Sequence, residues 1–369
     1  MFIEYHLLQN FAPSNLNRDD TNNPKDCTFG GVRRARISSQ CIKRAIRLHP
    51  VFKKTTKVPT AERTRFLARP LAENLEEAGK SKEDAEKAAS NFVGAILGGM
   101  DSNKPLRSKV LFFVSEDEKK MLTDLILENW QDVVTDKIKD NSKPVKDFIK
   151  AFSNRTSAPG IAMFGRMLAE DPNLNMDAAC QVAHAISTHR VNMEFDFFTA
   201  VDDLQDSTET GAGMMGLTGF NAATFYRYAR VDFDQLVKNL GGDLNLARKT
   251  LEGFLRAGTH AVPTGKQNSF AAQNPPSFMM AVTRNDGMSW SLTNAFEKPV
   301  YSRGGQGLLE TSIQALDQYW AGLVQFFGEG PQPIVGYVGV DPELDYLHPF
   351  VVSDFETWIN KTLEALPKE

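Results

Sequence analysis

Residues 16–47 read LNRDDTNNPKDCTFGGVRRARISSQCIKRAIR and join a polar loop, a glycine pair and a basic segment in one stretch. From Lys25 to Lys57 there are ten basic side chains, and only Asp26 opposes them. The whole chain of 369 residues nevertheless has a formal net charge of -4. The sequence therefore predicts a local cationic surface on a slightly acidic protein.

The second half of this stretch has the pattern of a helix that begins near Ser39. Ser38 or Ser39 suits the N-cap position, because a hydroxyl there can accept a free backbone N–H. The i, i+3, i+4, i+7 spacing of one helix face is occupied by polar and basic residues, namely Gln40, Lys43, Arg44 and Arg47. The other side is apolar and is predicted to be buried; it comprises Cys41, Ile42, Ala45 and Ile46.

A cationic face that starts at a helix N-terminus favours binding of successive phosphates. The backbone N–H groups and serine hydroxyls can bind one phosphate while the basic side chains reach the next. Gly30 and Gly31, just upstream, would let the backbone approach a ligand without a Cβ in the way. A solvated charged face remains the alternative, because basic runs are common and weakly specific.

Composition excludes several classes of protein. A hydrophobic content of 41% with 24% charged residues is typical of a soluble protein large enough for two or three lobes. No apolar run reaches the roughly 18 residues of a membrane span, and the N-terminal residues lack the features of a signal peptide, so we expect a cytoplasmic protein. Cys27, Cys41 and Cys180 form no C-x-x-C motif, and neither a metal nor a cofactor is predicted.

Asp19 and Asp20 lie in the loop after a predicted first strand, residues 2–8. Paired aspartates could hold a divalent metal for phosphodiester cleavage. The interpretation that they cap a turn or pair with Arg18 and the nearby arginines is favoured, because no second acidic cluster accompanies them. The sequence thus leaves a metal-dependent ribonuclease open as an alternative, while no catalytic residue is predicted.

Residues 57–175 have a sequence pattern typical of helices and charges of both signs, and we interpret them as a helical insertion. Ser115 and Glu118 have the spacing of a capping box. At the end of the insertion, Arg166 and Met167 could place a cation near a phosphate and an apolar side chain against a base, although a methionine there is more often core filler. A helix is predicted from Met176 to Ser187.

Two aromatic-rich segments, NMEFDFFTAV and FNAATFYRYARV, flank the connection QDSTETGAGMMGLTG. The connection is too long for a two-residue hairpin turn, and its glycines surround the apolar pair Met214-Met215. A long hairpin with an apolar tip is not stable alone in water and makes sense if it inserts into another molecule. The alternative is a glycine-rich loop between core strands.

Five segments, in order, resemble the CasC-type backbone subunit of type I-E CRISPR Cascade complexes. They are LNRDD, GGVRRARISSQCIKRAIR, HAISTHRVNMEFDFFTAVDDLQ, FNAATFYRYARVDFDQL and NAFEKPV. The resemblance is scattered over most of the chain and is weak between residues 51 and 158. It implies an α+β fold with a modified RRM- or ferredoxin-like palm (residues 1–56 and 176–369), helical fingers (57–175) and a long β-hairpin thumb (195–223).

The resemblance also implies a function in antiviral defence. The subunit would bind CRISPR RNA, stack in several copies along it with other Cascade subunits, and present short segments for pairing with target DNA. A thumb would interrupt base stacking, through Phe198, Thr199, Val201 and Met215. The complete set of predicted RNA-binding residues is Arg18, Lys25, Arg33, Arg34, Arg36, Ser38, Ser39, Gln40, Lys43, Arg44, Arg47, Arg166, Met167, Phe198, Thr199, Val201, Met215, Lys298 and Arg303.

The type I-E subunit is not regarded as a nuclease, whereas related RNA-cleaving backbones use an aspartate of the same loop. A non-enzymatic RNA-binding subunit is therefore the leading prediction, and a ribonuclease using Asp19 or Asp20 is the first alternative. A generic single-strand binder is the second; it would bind RNA without a regularly repeated footprint.

Overall fold

A computed structural model describes residues 1–169, 171–200, 203, 214–285, 287–328, 330, 332–340 and 342–367. Its strands are β1 (Phe2–Ser14), β2 (Asp26–Phe29), β3 (Val32–Ile37), β4 (Glu62–Thr64), β5 (Phe112–Val114), β6 (Cys180–Val182), β7 (Ala185–Ser187), β8 (Glu194–Ala200), β9 (Met214–Asp232), β10 (Phe278–Arg284) and β11 (Pro333–Tyr337). Its α-helices are α1 (Ser39–Leu48), α2 (Pro50–Thr56), α3 (Ala68–Glu77), α4 (Lys82–Ile96), α5 (Glu116–Glu128), α6 (Trp130–Val134), α7 (Lys143–Phe152), α8 (Pro159–Phe164), α9 (Phe233–Asn239), α10 (Leu244–His260), α11 (Gln267–Phe270), α12 (Leu308–Phe327) and α13 (Phe355–Glu364).

The chain forms two compact units. The first, here called the sheet unit, comprises Met1–His49, Gln181–Arg230 and Phe254–Lys368. The second, the helical unit, comprises Pro50–Cys180 and Val231–Gly253. The helical unit therefore includes residues 231–253 in addition to the insertion that the sequence pattern indicated.

Antiparallel pairing builds the sheet unit around a central β9. The strand order is β11-β10-β1-β9-β7-β3-β2, and β6 and β8 also pair with β9. The N-terminal part of β9 pairs with β8, from Glu194 opposite Phe220 to Ala200 opposite Met214. Farther along, Tyr226 of β9 lies opposite Ile186 of β7. One long strand thus belongs both to the main sheet and to a projecting β8–β9 hairpin.

Both faces of β1 are covered, because its side chains alternate between two layers of helix. Tyr5 packs against Phe254 of α10 and Trp358 of α13, with ring centroids 6.0 and 5.9 Å apart. Leu8 belongs instead to the core cluster that contains Leu316 of α12. This explains why an antiparallel strand is buried almost continuously from Ile3 to Gln9.

One predicted element is wrong. Residues 180–187 form β6 and β7 and not the end of a helix, and Ile186 and Ser187 pair with β9. Local periodicity favoured a helix here, but β-branched residues beside a free strand edge gain more from the ladder hydrogen bonds of the sheet. The pairing of β7 with β3 brings His184 next to Arg36 of β3.

The helical unit has its own core, to which α3, α4, α5 and α7 contribute. The predicted capping box at the start of α5 is confirmed, since Ser115 Oγ accepts the Glu118 N–H and the Glu118 carboxylate accepts the Ser115 N–H. No helix in the described ranges has both the length and the apolar character needed to cross a bilayer.

Candidate nucleic-acid interface

The start of α1 has the predicted capped geometry. Ser38 is extended, with φ -68° and ψ 148°, and its Oγ accepts the Cys41 N–H. The Ser38 N–H donates to the Asn17 side chain at 2.8 Å, so the polar loop is fixed against the helix start. The first intrahelical hydrogen bond runs from Ile42 N to Ser38 O. The N–H groups of Ser39 and Gln40 precede this bond and therefore have no acceptor within the helix. This end of α1 is suited to an anion.

The faces of α1 follow the predicted pattern in part, since Cys41 and Ala45, which were expected to be buried, are only half-buried. Ile42 and Ile46 are buried, Gln40 and Arg44 are exposed, and Lys43 is half-buried. Arg47 was expected on the open cationic face, but it is only 7% exposed and interacts within the chain. The open part of this face therefore consists of the first two turns of the helix.

The arginines of β3 have different environments. Arg33 is exposed and forms an ion pair with Asp26. Arg36 is half-buried. Its guanidinium donates to the Asp26 carbonyl and to Nδ1 of His184, each at 3.0 Å. Partial burial, together with the Arg36 and Lys25 charges, lowers the pKa of His184. His184 thus lies beside two cations, which disfavour its protonated form.

Arg34 is a correction to the predicted RNA-binding set. Its side chain is completely buried, and burial lowers the pKa of its guanidinium. The guanidinium donates to backbone carbonyls of Phe29, Ser187 and Phe296, at 3.2, 3.1 and 2.7 Å. Because its donors are used by the chain itself, Arg34 holds three segments together and has none left facing solvent for a phosphate.

Gly30 also packs against the protein's own backbone, at Glu297, and does not face open space for a ligand. It has φ +59°, and a Cβ there would lie 1.7 Å from the Glu297 carbonyl oxygen. Gly31, with φ +74°, has open space around its Cβ position. This contact brings Lys298, an exposed residue, near the turn between β2 and β3. Arg303 is also exposed, in a turn that it closes with Gln306.

The loop before β2 holds Asp19 in a turn. The Asp19 carboxylate accepts the Thr21 hydroxyl, the Thr21 N–H and the Asn23 N–H at 2.8–2.9 Å. These bonds, led by that from the Thr21 hydroxyl, lower the pKa of Asp19. The exposed Arg18 donates to Asn22 at 2.8 Å, and Lys25 is half-buried. The turn-capping interpretation accounts for the contacts of Asp19.

The β8–β9 hairpin presents an apolar face to solvent. Cross-strand neighbours share a face, so Phe197 with Leu217 and Thr199 with Met215 form one row. Phe197 is 64% exposed, Leu217 62% and Met215 69%. Met215 was expected in the loop at the tip, but β9 already begins at Met214. Val201, also predicted as a contact, lies outside the described residues.

Phe198 faces the other side of the hairpin. It lies opposite Gly216, where a Cβ would come within 2.3 Å of the Phe198 ring. The ring therefore covers the glycine backbone and is 39% exposed. A side chain larger than hydrogen at position 216 would displace the aromatic ring.

In the helical unit, Arg166 and Met167 have opposite environments. Arg166 was expected to face a phosphate but is buried; it forms an ion pair with Glu118 and donates to the Phe113 and Leu174 carbonyls. Met167 is 88% exposed. Of this predicted pair, only the methionine is open to a ligand.

Some exposed residues of the interface were not among the predicted contacts. Phe195, Phe197 and Leu217 extend the row that contains Thr199 and Met215. The sequence EFDFFTA indicated this row, because residues two apart in a strand share a face and Phe195, Phe197 and Thr199 have that spacing.

Comparisons with known proteins identify the family of this chain. A family model described as CT1975-like protein matches residues 3–344. The chain belongs to this CT1975-like family. A search of curated proteins gives no significant match.

Solved structures that resemble this CT1975-like protein come from CRISPR complexes. A chain of a CRISPR RNA-guided surveillance complex, pre-nicking, has 32% identity and a TM-score of 0.87, over 99% of this chain and 100% of that chain. A chain of another CRISPR RNA-guided surveillance complex has 27% identity and a TM-score of 0.77, with the same coverage. The predicted family resemblance and the α+β fold class are confirmed.

Proposed function

We propose that this chain is the CRISPR RNA-binding backbone subunit of a type I-E Cascade complex in antiviral defence. The observation that carries the proposal is the open N-terminus of α1, with its free N–H groups beside Gln40, Lys43 and Arg44. Its occurrence in a chain that matches surveillance-complex subunits over almost its full length supports a guide RNA as the ligand.

The phosphate backbone of the RNA binds at this end of α1. The helix dipole places about half a positive charge there, and the Ser39 and Gln40 N–H groups point away from the helix. Lys43 and Arg44 reach the next phosphates, while Arg18, Lys25, Arg33 and Arg36 supply positive charge nearby. Ser38 fixes the helix start, and Lys298 and Arg303 extend the cationic surface. Such contacts do not discriminate base sequence.

The β8–β9 hairpin separates the RNA bases into groups. Its exposed apolar row, from Phe195 to Met215, can cover an unstacked base step, and stacking on an aromatic contributes on the order of 1–3 kcal/mol per base. Phe198 and Thr199 belong to the same hairpin, and Met167 offers a second apolar contact. Short groups of bases thereby stay available for pairing with target DNA.

Several copies bind head to tail along one RNA, together with other Cascade subunits, in the cytoplasm. A heterologous contact of this kind does not close on itself, so the length of the RNA sets the number of copies. Specificity resides in base pairing between guide and target, and the protein contributes backbone contacts and geometry.

The subunit is proposed to be non-catalytic, in preference to a ribonuclease that uses Asp19 or Asp20. The hydrogen bonds of Asp19 to Thr21 and Asn23 support a turn-capping role. Incubation of the assembled protein with complementary RNA and Mg²⁺ or Mn²⁺ tests this point. Regularly spaced cuts that disappear in Asp19→Ala or Asp20→Ala would establish the ribonuclease instead.

The nucleic acid that copurifies with the native complex tests the function directly. Sequencing and sizing should give a discrete RNA with repeat and spacer portions. Heterogeneous cellular RNA without a repeated footprint would identify a generic single-strand binder.

The double variant Lys43→Ala with Arg44→Ala tests the phosphate site. Removal of two contacts to single-stranded RNA should lower the slope of log affinity against log salt by about 1.4, equally for unrelated RNA sequences. Lys82→Ala with Lys87→Ala, which removes the same charge from exposed positions of α4, is the control. A loss that depends on RNA sequence would contradict backbone binding.

A further inference from the structure

A cleft of about 510 Å³ opens beside the start of α1, within the sheet unit. Its walls come from three distant parts of the sequence: the polar loop, Cys41 of α1, and Thr264 with Gly265. The polar loop contributes Arg18 and also the carboxylates of Asp19 and Asp20. Lys25 and Arg44 lie close enough to Cys41 to act on its thiol electrostatically. The cleft therefore adjoins the cationic part of the proposed RNA site.

Gly265 fixes the third wall closely against the first. A Cβ at position 265 would lie 2.3 Å from the Leu16 carbonyl oxygen and 2.7 Å from that of Asn15. The Asn17 side chain in turn accepts the Ser38 N–H. Through these contacts, the residue that follows Gly265 is held next to the loop that is bound to the start of α1.

That residue, Lys266, has a strained backbone. It is left-handed, with φ 50° and ψ 25°, and Ala271 at the other end of the single turn α11 has φ 47° and ψ 35°. A left-handed residue other than glycine costs on the order of 1–2 kcal/mol and persists where surrounding contacts require it. The Gln267 side chain supplies such contacts, because its amide donates to the Pro263 and Ala272 carbonyls at 3.0 and 3.2 Å.

The far end of the turn is fixed to the base of the hairpin. The Phe270 ring lies 5.7 Å from that of Phe220, which is the β9 residue opposite Glu194. Lys266 is half-buried, and its ammonium has no carboxylate partner among the residues that the structure describes. A rigid turn thus presents a lysine without a counter-ion between the α1 site and the hairpin.

We propose that Lys266 binds an RNA phosphate adjacent to the one held at the N-terminus of α1, and that the strained turn 266–271 positions it there. This inference rests on the proposed function, since it names a further contact for the same strand. The ligand is a phosphodiester of single-stranded RNA, and the contact is independent of base sequence.

The test uses the full chain and two single-stranded RNAs of unrelated sequence, between about 50 and 200 mM salt. One lost phosphate contact should lower the salt slope by about 0.7, which corresponds to about fivefold weaker binding at 0.1 M salt. Lys266→Gln and Lys266→Gly should both show this loss, whereas Lys266→Arg should bind like the unaltered chain. Lys361→Gln, on the exposed side of α13, is the control.

The outcomes separate this inference from the function on which it rests. If the unaltered chain binds RNA and Lys266→Gln keeps its affinity and salt slope, Lys266 is not a contact although the function stands. A lower affinity with an unchanged slope would also overturn the inference, because it would indicate a collapsed loop and not a lost charge. If the unaltered chain does not bind RNA, the proposed function itself fails.

Discussion

Gly30 lies against the backbone carbonyl of Glu297, so close that no side chain fits between the two residues. The contact joins the β2–β3 turn to the segment that carries Lys298. Gly31 beside it has the same left-handed backbone and open space. The two glycines thus separate the effect of backbone conformation from the effect of close approach.

Gly30→Ala should destabilise the protein more than Gly31→Ala. Both alanines must adopt a left-handed conformation, which costs about 1–2 kcal/mol. Only Gly30→Ala also forces the Glu297 backbone to move, and we expect a total loss of about 3 kcal/mol or more in the free energy of unfolding. Urea unfolding of the two variants measures the difference; equal losses would show that the contact is unimportant.

Phe197→Ser with Leu217→Ser should weaken assembly on RNA without unfolding the chain. Both side chains are more than half exposed, so the loss of their cross-strand contact costs at most about 1 kcal/mol. The number of copies bound per RNA, measured by analytical ultracentrifugation, should fall. Phe326→Ser serves as the control, because Phe326 lies near the end of α12 and is 82% exposed. An unchanged number of copies would exclude the hairpin face from assembly.

Arg166→Met should destabilise the helical unit strongly and leave the salt slope of RNA binding unchanged. The substitution leaves the buried Glu118 carboxylate without its partner, at a cost of about 3–5 kcal/mol. Met167→Ser, at the exposed neighbouring position, should change stability by less than about 0.5 kcal/mol. A reduced salt slope in Arg166→Met would instead restore this arginine as a phosphate contact.

His6 should make the protein sensitive to acid. Burial, followed by the nearby Arg284 charge, lowers its pKa from 6.5 to about 3. Between these values the unfolded chain takes up a proton that the folded chain does not, so stability is complete above pH 6.5 and falls as the pH is lowered towards 3. In His6→Phe, the dependence of unfolding free energy on pH should be shallower in this window.

Tyr226→Phe is the control for His6. It removes the hydroxyl that lies 2.8 Å from Nδ1 but keeps the histidine. Its overall stability should fall, because the Leu292 N–H loses an acceptor, while the acid sensitivity persists. Identical pH profiles for the unaltered chain and His6→Phe would show that another group dominates.

Local features of the fold were predictable from the sequence. The cap at Ser38, the buried Ile42 and Ile46 and the capping box at Ser115 depend on neighbours within one or two helical turns. Their spacing alone therefore carries the information.

Long-range partners were not predictable in the same way. In the sequence, Arg34 cannot be distinguished from the neighbouring arginines. It is buried because the distant carbonyls of Ser187 and Phe296 accept its hydrogen bonds. Arg166 likewise depends on Glu118. Lys266 gave no signal, because its place beside α1 depends on the contact between Gly265 and Leu16.

The charges of β8 bear on how copies avoid unwanted association. Within the part of the chain that the structure describes, β8 pairs only with β9, and its other edge lies beside a row of exposed phenylalanines that would otherwise promote aggregation. Glu194 and Asp196 alternate with these rings, so two such edges brought together would oppose carboxylate to carboxylate. Repulsion between these carboxylates disfavours edge-to-edge pairing of two hairpins. The exposed apolar side chains can still bind a ligand that does not pair as a β-strand.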